Sequence, residues 1–146
     1  MSDLFHIMLV EDSRADVMII ERALTEGRIP HRLTVVNDGR RALAYFAKLA
    51  EPGCDAGLRP DLVLLDLNLP GIDGSQVLSQ VKSHPDLKAI PFVVLTTSRR
   101  DEDVLQSYRA GANTYIQKPA EYPRYRDLVA ILRQYWFDTA VHVPAR

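Results

Sequence analysis

The sequence predicts a doubly wound α/β fold, a five-stranded parallel sheet flanked by five helices. Two observations lead there. Short apolar runs of strand length alternate with longer segments of helical period. The runs are apolar almost throughout, as in a parallel sheet covered on both faces, and right-handed crossovers then place helices on each side.

The elements follow in order. "HIMLV" (6–10) is the first strand. Ser13 is placed as an N-cap, with Asp16 three residues on, and the helix it opens ends near Gly27. "RLTVV" (32–36) is the second strand. "GRRALAYFAKLA" is the second helix, with Leu43, Phe46 and Ala47 on one face. A Pro- and Gly-rich loop, "EPGCDAGLRP" (51–60), precedes the third strand, whose apolar run covers 62–65. The role of that loop stays open.

A short helix over 75–83 is closed by His84-Pro85, because the proline ring disfavours helix before it. "PFVVLT" (91–96) is the fourth strand. A helix over 101–110 follows, with Val104, Leu105 and Tyr108 expected to face inward. "NTYIQ" (113–117) is the fifth strand. A last helix sets Tyr125, Leu128, Val129, Leu132 and Trp136 on one stripe. The whole chain, 1–146, reads as one domain with a core of about 5–137 and a short, partly extended tail over 138–146.

Composition narrows the function. The 146 residues are 47% hydrophobic and 25% charged, the profile of a soluble globular protein. A formal net charge of -1 gives no basic field for nucleic acid and no polybasic patch for a membrane. No apolar run approaches the ~20 residues that span a bilayer. The N-terminus lacks the basic start and small-residue cleavage pattern of a signal peptide. Cys54 is the lone cysteine, so no internal disulfide forms, and a reducing cytoplasmic compartment is the simplest home.

In an open parallel sheet, sites form beyond the carboxyl ends of the strands. Strand one ends on Glu11 and Asp12, strand three on Asp66, and strand four on Thr96 and Thr97. Strand five leads into Lys118-Pro119. Gathered carboxylates repel one another, and a divalent cation relieves that repulsion. An all-oxygen donor set suits Mg²⁺, which takes one or two carboxylates plus phosphate oxygens. The four histidines are scattered, so zinc is unsupported.

A phosphoryl group on Asp66 would complete such a metal shell. Lys118 would pair with one of its oxygens, and the Thr96 hydroxyl would donate to another. The loop after Asp66 would bend the Asn68 backbone carbonyl toward the metal, with Gly71 and Gly74 allowing the turn. Asp66 is thus the candidate nucleophile.

Four stretches, "VED", "LLDLNLPGIDG", "VLTTS" and "GANTYIQKP", stand in this order at strands one, three, four and five. Together they resemble the response-regulator receiver domain of two-component signalling, over nearly the whole chain. The resemblance implies the flavodoxin-like receiver fold and phosphorylation of Asp66 by a partner histidine kinase. It implies Mg²⁺ held by Glu11 and Asp12, Asp12 more directly and Glu11 through water, with the Asn68 carbonyl. Thr96 and Lys118 would contact the phosphoryl group, Lys118-Pro119 would be a cis peptide, and Tyr115 would be the switch aromatic that turns inward as Thr96 moves. The domain would catalyse only its own phosphorylation and dephosphorylation and turn over no metabolite. With no output domain expected, it would signal by protein contacts or phosphorelay.

The long loop, "VKSHPDLKAIPFVVLTTS" and the ending "YWFDTAVHVP" resemble, more narrowly, single-domain regulators that work with phytochrome-type histidine kinases. That group implies a homodimer through the fourth helix, fifth strand and fifth helix.

Plainer readings stand beside these. Glu11, Asp12 and Ser13 could simply cap a helix at its positive end. Lys118 alone could be a solvated lysine, Tyr115 plain packing, and Tyr135, Trp136 and Phe137 a cover for the core. Two other functions compete. A Mg²⁺-dependent phosphatase with an aspartyl-phosphate intermediate would want a second acid where Asn68 stands. A flavodoxin-like cofactor carrier would want a glycine-bearing phosphate loop where "EDSRAD" stands.

Overall fold

A buried strand feeds alternate side chains to the two faces of its sheet. In the computed structural model, which describes residues 4–144, β1 (Phe5–Val10) does so along its whole length. Phe5, Ile7 and Leu9 enter the core on one face, and Met8 and Val10 enter the core on the other. β2 (His31–Val36), β3 (Leu62–Leu65), β4 (Phe92–Thr96) and β5 (Thr114–Gln117) join it in one sheet, in the order β2-β1-β3-β4-β5. Every pairing is parallel.

α1 (Arg14–Glu26) and α5 (Tyr122–Leu132) cover one face through Ile20, Leu24, Tyr125 and Val129. α2 (Gly39–Leu49), α3 (Gly74–Ser83) and α4 (Asp101–Ala110) lie over the other, where Phe46, Val77 and Leu78 are buried. Each such side chain contributes about 1.5–3 kcal/mol on leaving water. The five strands and five helices stand where the sequence pattern sets them.

Helix ends follow their caps. The Ser13 hydroxyl accepts the Asp16 N–H and so fixes the first turn of α1. Asp73 and Gln76 form a reciprocal capping box at the start of α3. Past Leu132 the last helix widens into a π turn, Arg133–Phe137. The tail folds back from there. His142 Nε2 donates to the Trp136 carbonyl at 2.6 Å, and its ring lies 4.7 Å from that of Phe5. Phe137 also meets Phe5 edge-on, so this part of the aromatic ending covers the core.

The 51–60 loop is fastened at the end of the sheet opposite the strand carboxyl ends. His6 is buried, with Nδ1 donating to the Arg59 carbonyl at 3.1 Å and Nε2 2.8 Å from the Thr34 hydroxyl. Burial pushes its imidazole below the ordinary value, so the neutral ring serves as the clasp.

α4 departs from expectation. Leu105 and Tyr108 are 51% and 47% exposed rather than inward-facing, and only Val104 of the three is turned partly in. The inner line of the helix runs instead through Val104, Ser107 and Ala110. Ser107 is buried at the centre of that line, and the larger Leu105 and Tyr108 lie on the outer face.

Candidate functional site

The chain leaves β1 for β2 on one side and comes back to place β3 on the other. Strand order reverses at that point, and the helices that follow diverge, leaving a crevice beyond the carboxyl ends of β1 and β3. Glu11 and Asp12 follow β1 directly, and Asp66 follows β3 directly. The ladder continues past both strands. The Glu11 N–H donates to the Val36 carbonyl and the Asp66 N–H to the Val10 carbonyl, each at 3.0 Å. These carboxylates therefore start from backbone that the sheet holds rigid.

Carboxylate oxygens of Glu11, Asp12 and Asp66 lie within 4.8 Å of one another, Glu11 and Asp66 buried and Asp12 exposed. The Lys118 ammonium reaches this cluster from the end of β5. It lies 2.7 Å from Glu11 Oε1, 2.7 Å from Asp16 Oδ2 and 2.9 Å from Asp66 Oδ2. Burial alone would lower the Lys118 pKa, but hydrogen bonds to Asp16, Glu11 and Asp66 more than reverse it, and it is raised. Glu11 goes the other way for an acid. Burial pushes its carboxyl up to about 7; the Lys118 hydrogen bond opposes this, and the Asp66 charge adds to it.

One ammonium among four acidic side chains leaves the site short of positive charge. With oxygen donors alone, it fits a hard divalent cation. The crevice opens to solvent past Asp12, Asn68, Asp73 and Asp103.

The turn after Asp66 is built by local bonds. Asp66 Oδ1 accepts the Asn68 N–H at 3.1 Å, and the Gly74 N–H donates to the Leu67 carbonyl at 2.9 Å. Gly71 takes φ 72°, the left-handed conformation that a turn here requires. Gly74 serves closeness rather than turning. A Cβ there would stand 2.1 Å from the Asp66 carbonyl oxygen.

Thr96 is fully buried, and its Oγ1 accepts the Asn68 side-chain N–H at 3.3 Å. Tyr115 lies on β5, where its hydroxyl donates to the Ser98 carbonyl at 2.9 Å. Glu11, Asp12, Asp66, Asn68, Thr96 and Lys118 are thus gathered at one end of the sheet, with Tyr115 behind them on β5.

One expectation is corrected. The Lys118–Pro119 peptide is trans, as are all peptide bonds among the described residues. The trans form is favoured by ~0.5–1 kcal/mol before proline. The Lys118 N–H already bonds the Thr96 carbonyl at 2.6 Å, so the strand register by itself carries the ammonium to Asp66. One residue was missed. Asp16 enters the sequence reading only as a neighbour of the α1 cap. The signal was present: it stands three residues past the Ser13 cap, in the first turn of the helix that starts from the carboxyl end of β1.

Comparison with known proteins gives a consistent picture. The model of the response regulator receiver domain matches residues 7–133. Response regulator Rcp1 of Synechocystis sp. is 41% identical over 139 residues, covering 95% of this chain and 92% of that protein. A probable methanogenesis regulatory protein, FilR2 of Methanothrix harundinacea, is 42% identical over 134 residues, covering 92% and 84%. Among solved structures, the phosphorylated cyanobacterial phytochrome response regulator RcpA superposes with a TM-score of 0.86 at 41% identity, covering 97% of this chain and 99% of that one. The Mn²⁺-bound form of Rcp1 gives 0.84 at 38% identity, covering 95% and 99%. Among the described residues no helix is long and apolar enough to cross a membrane.

Proposed function

The chain belongs to the response regulator receiver domain family, and from that premise we propose that it is a signalling module that accepts a phosphoryl group on Asp66. The donor is the phosphohistidine of a histidine kinase, of phytochrome type by the chain's likeness to RcpA. An Asp66 carboxylate oxygen bonds to phosphorus as the phosphorus–nitrogen bond breaks, and that electron pair leaves on the imidazole nitrogen. The reaction asks chiefly for positioning and charge neutralisation.

Mg²⁺ is the ion we assign. Asp12 and Asp66 would hold it directly, Glu11 through water, and the Asn68 backbone carbonyl would complete the protein's share. When bound, it neutralises charge on the phosphoryl oxygens. Lys118 exchanges Asp66 Oδ2 for a phosphoryl oxygen and acts there as a point charge. Thr96 gives up the hydrogen bond from Asn68 and donates its hydroxyl to a second phosphoryl oxygen. Tyr115 releases the Ser98 carbonyl and turns inward behind Thr96. This is an order-and-packing switch driven by local charge. The module also catalyses loss of its own phosphoryl group.

The observation that supports this reading most is the 2.9 Å contact between Lys118 Nζ and Asp66 Oδ2, within a carboxylate cluster drawn from separate strand ends. For output, the exposed Leu105 and Tyr108 of α4 fit an apolar contact surface. We place a homodimer there, through α4, β5 and α5.

The test is chemical. Acetyl phosphate with Mg²⁺ adds one phosphoryl group by intact mass, and borohydride reduction followed by peptide mapping locates it at Asp66. Chelation of the metal stops the labelling. A label that maps to another residue, or that forms equally well in chelator, refutes the proposal.

A further inference from the structure

Asp16 stands outside every role assigned so far, yet it holds the Lys118 ammonium as closely as Glu11 does, at 2.7 Å. An ammonium has three N–H donors. Here their three partners come from three places: Glu11 at the end of β1, Asp16 in the first turn of α1, and Asp66 at the end of β3. The Lys118 side chain is 6% exposed, so water has little share in holding it. Asp16 is itself fixed from behind, since its N–H donates to the Ser13 cap at 3.2 Å.

A lysine ammonium is a point charge on a flexible four-carbon stem, and its own shape imposes no direction. Direction must come from its partners. Glu11 and Asp16 between them determine where the third N–H points, and that N–H points at Asp66. With Asp16 removed, the ammonium pivots about its two remaining carboxylates.

We propose that Asp16 is a positioning residue for phosphoryl transfer: from α1 it orients the Lys118 ammonium so that one N–H stays aimed at the oxygen arriving on Asp66. The inference rests on the reading of Asp66 as phosphoacceptor. Asp16 itself neither touches the transferred group nor moves a proton. The competing view makes Asp16 a first-turn acid that merely favours the dipole of α1. That view predicts a change in melting temperature and none in rate.

Single-turnover labelling by acetyl phosphate at saturating Mg²⁺ separates the two. Asp16→Ala slows labelling at saturating donor about tenfold, the scale of a misaimed catalytic group. The half-saturating donor concentration stays within about twofold, because donor binding is not what the residue governs. The final stoichiometry remains one. Asp16→Asn recovers part of the rate, since its amide oxygen still accepts an N–H. Asp38→Ala removes the side-chain cap of α2, a comparable loss of helix stability that touches neither Asp16 nor Lys118, and it labels at the wild-type rate.

An Asp16→Ala rate equal to or faster than wild type overturns the proposal. So does an equal slowing in Asp38→Ala. In either case a wild-type protein that labels normally leaves the Asp66 reading standing. A wild-type protein that takes up no phosphoryl group sinks both.

Discussion

An Asp66→Asn protein takes up no phosphoryl group from acetyl phosphate and Mg²⁺, where the wild-type protein takes up one. The amide keeps the shape of the carboxylate and still accepts the Lys118 N–H through its oxygen, but it offers no anionic nucleophile. Intact mass after incubation decides the matter, and equal labelling of the variant would contradict the assignment.

The same substitution has a second consequence, in stability. In the folded protein Glu11 has its pKa pushed up to about 7 from 4.5, first by burial and in part by the Asp66 charge. An acid with a raised folded pKa binds its proton more tightly in the native state. Its contribution is fully present below 4.5, and it is lost as pH rises to about 7. The metal-free protein therefore loses stability over that window. Asp66→Asn removes the neighbouring charge that adds to burial in raising Glu11, so its loss over the same window is shallower. Melting curves on both sides of the window, in chelator, measure the difference.

Gly74→Ala has a large effect that involves no charged side chain. An added Cβ would lie 2.1 Å from the Asp66 carbonyl oxygen and 2.7 Å from the Leu67 Cα. Both are backbone atoms, and neither yields as the tip of a flexible side chain would. The start of α3 must move away from the end of β3, breaking the 2.9 Å bond from the Gly74 N–H to the Leu67 carbonyl. We expect a loss of about 1–3 kcal/mol from overpacking. Labelling of Asp66 falls as well, because the displaced backbone carries that residue.

Gly71→Ala is the control. Its Cβ would meet nothing within 4 Å, and its φ of +72° makes its cost conformational, about 1–2 kcal/mol. Its labelling stays near wild type. Urea melts with labelling rates for both variants test the distinction. A Gly74→Ala protein as stable as wild type, with an unchanged rate, would contradict the close approach described here.

Strand ends were legible because parallel sheets bury both faces, so apolar runs such as Leu62–Leu65 mark their own limits. The residues just past those ends follow from position alone, which brings Glu11, Asp12, Asp66, Thr96 and Lys118 together. The face of α4 was not legible. Leu105 and Tyr108 satisfy the helical period, but period cannot tell a core from an exposed apolar patch, and Ser107 carries no hydrophobic signal for the place it fills. Asp16 was hidden by its second role: an acid in the first turn of a helix already has a local explanation. The Lys118–Pro119 geometry was inferred by resemblance rather than from any physical requirement in the chain.

The central requirement is that oxygen donors from separate strand ends meet around one cation beside Asp66. Anomalous diffraction from crystals grown with Mn²⁺ tests that claim most directly. A peak is expected between the carboxylates of Asp12 and Asp66, within coordinating distance of the Asn68 carbonyl. A peak at another place in the molecule, or none here in crystals whose protein labels normally in solution with Mn²⁺, would contradict it.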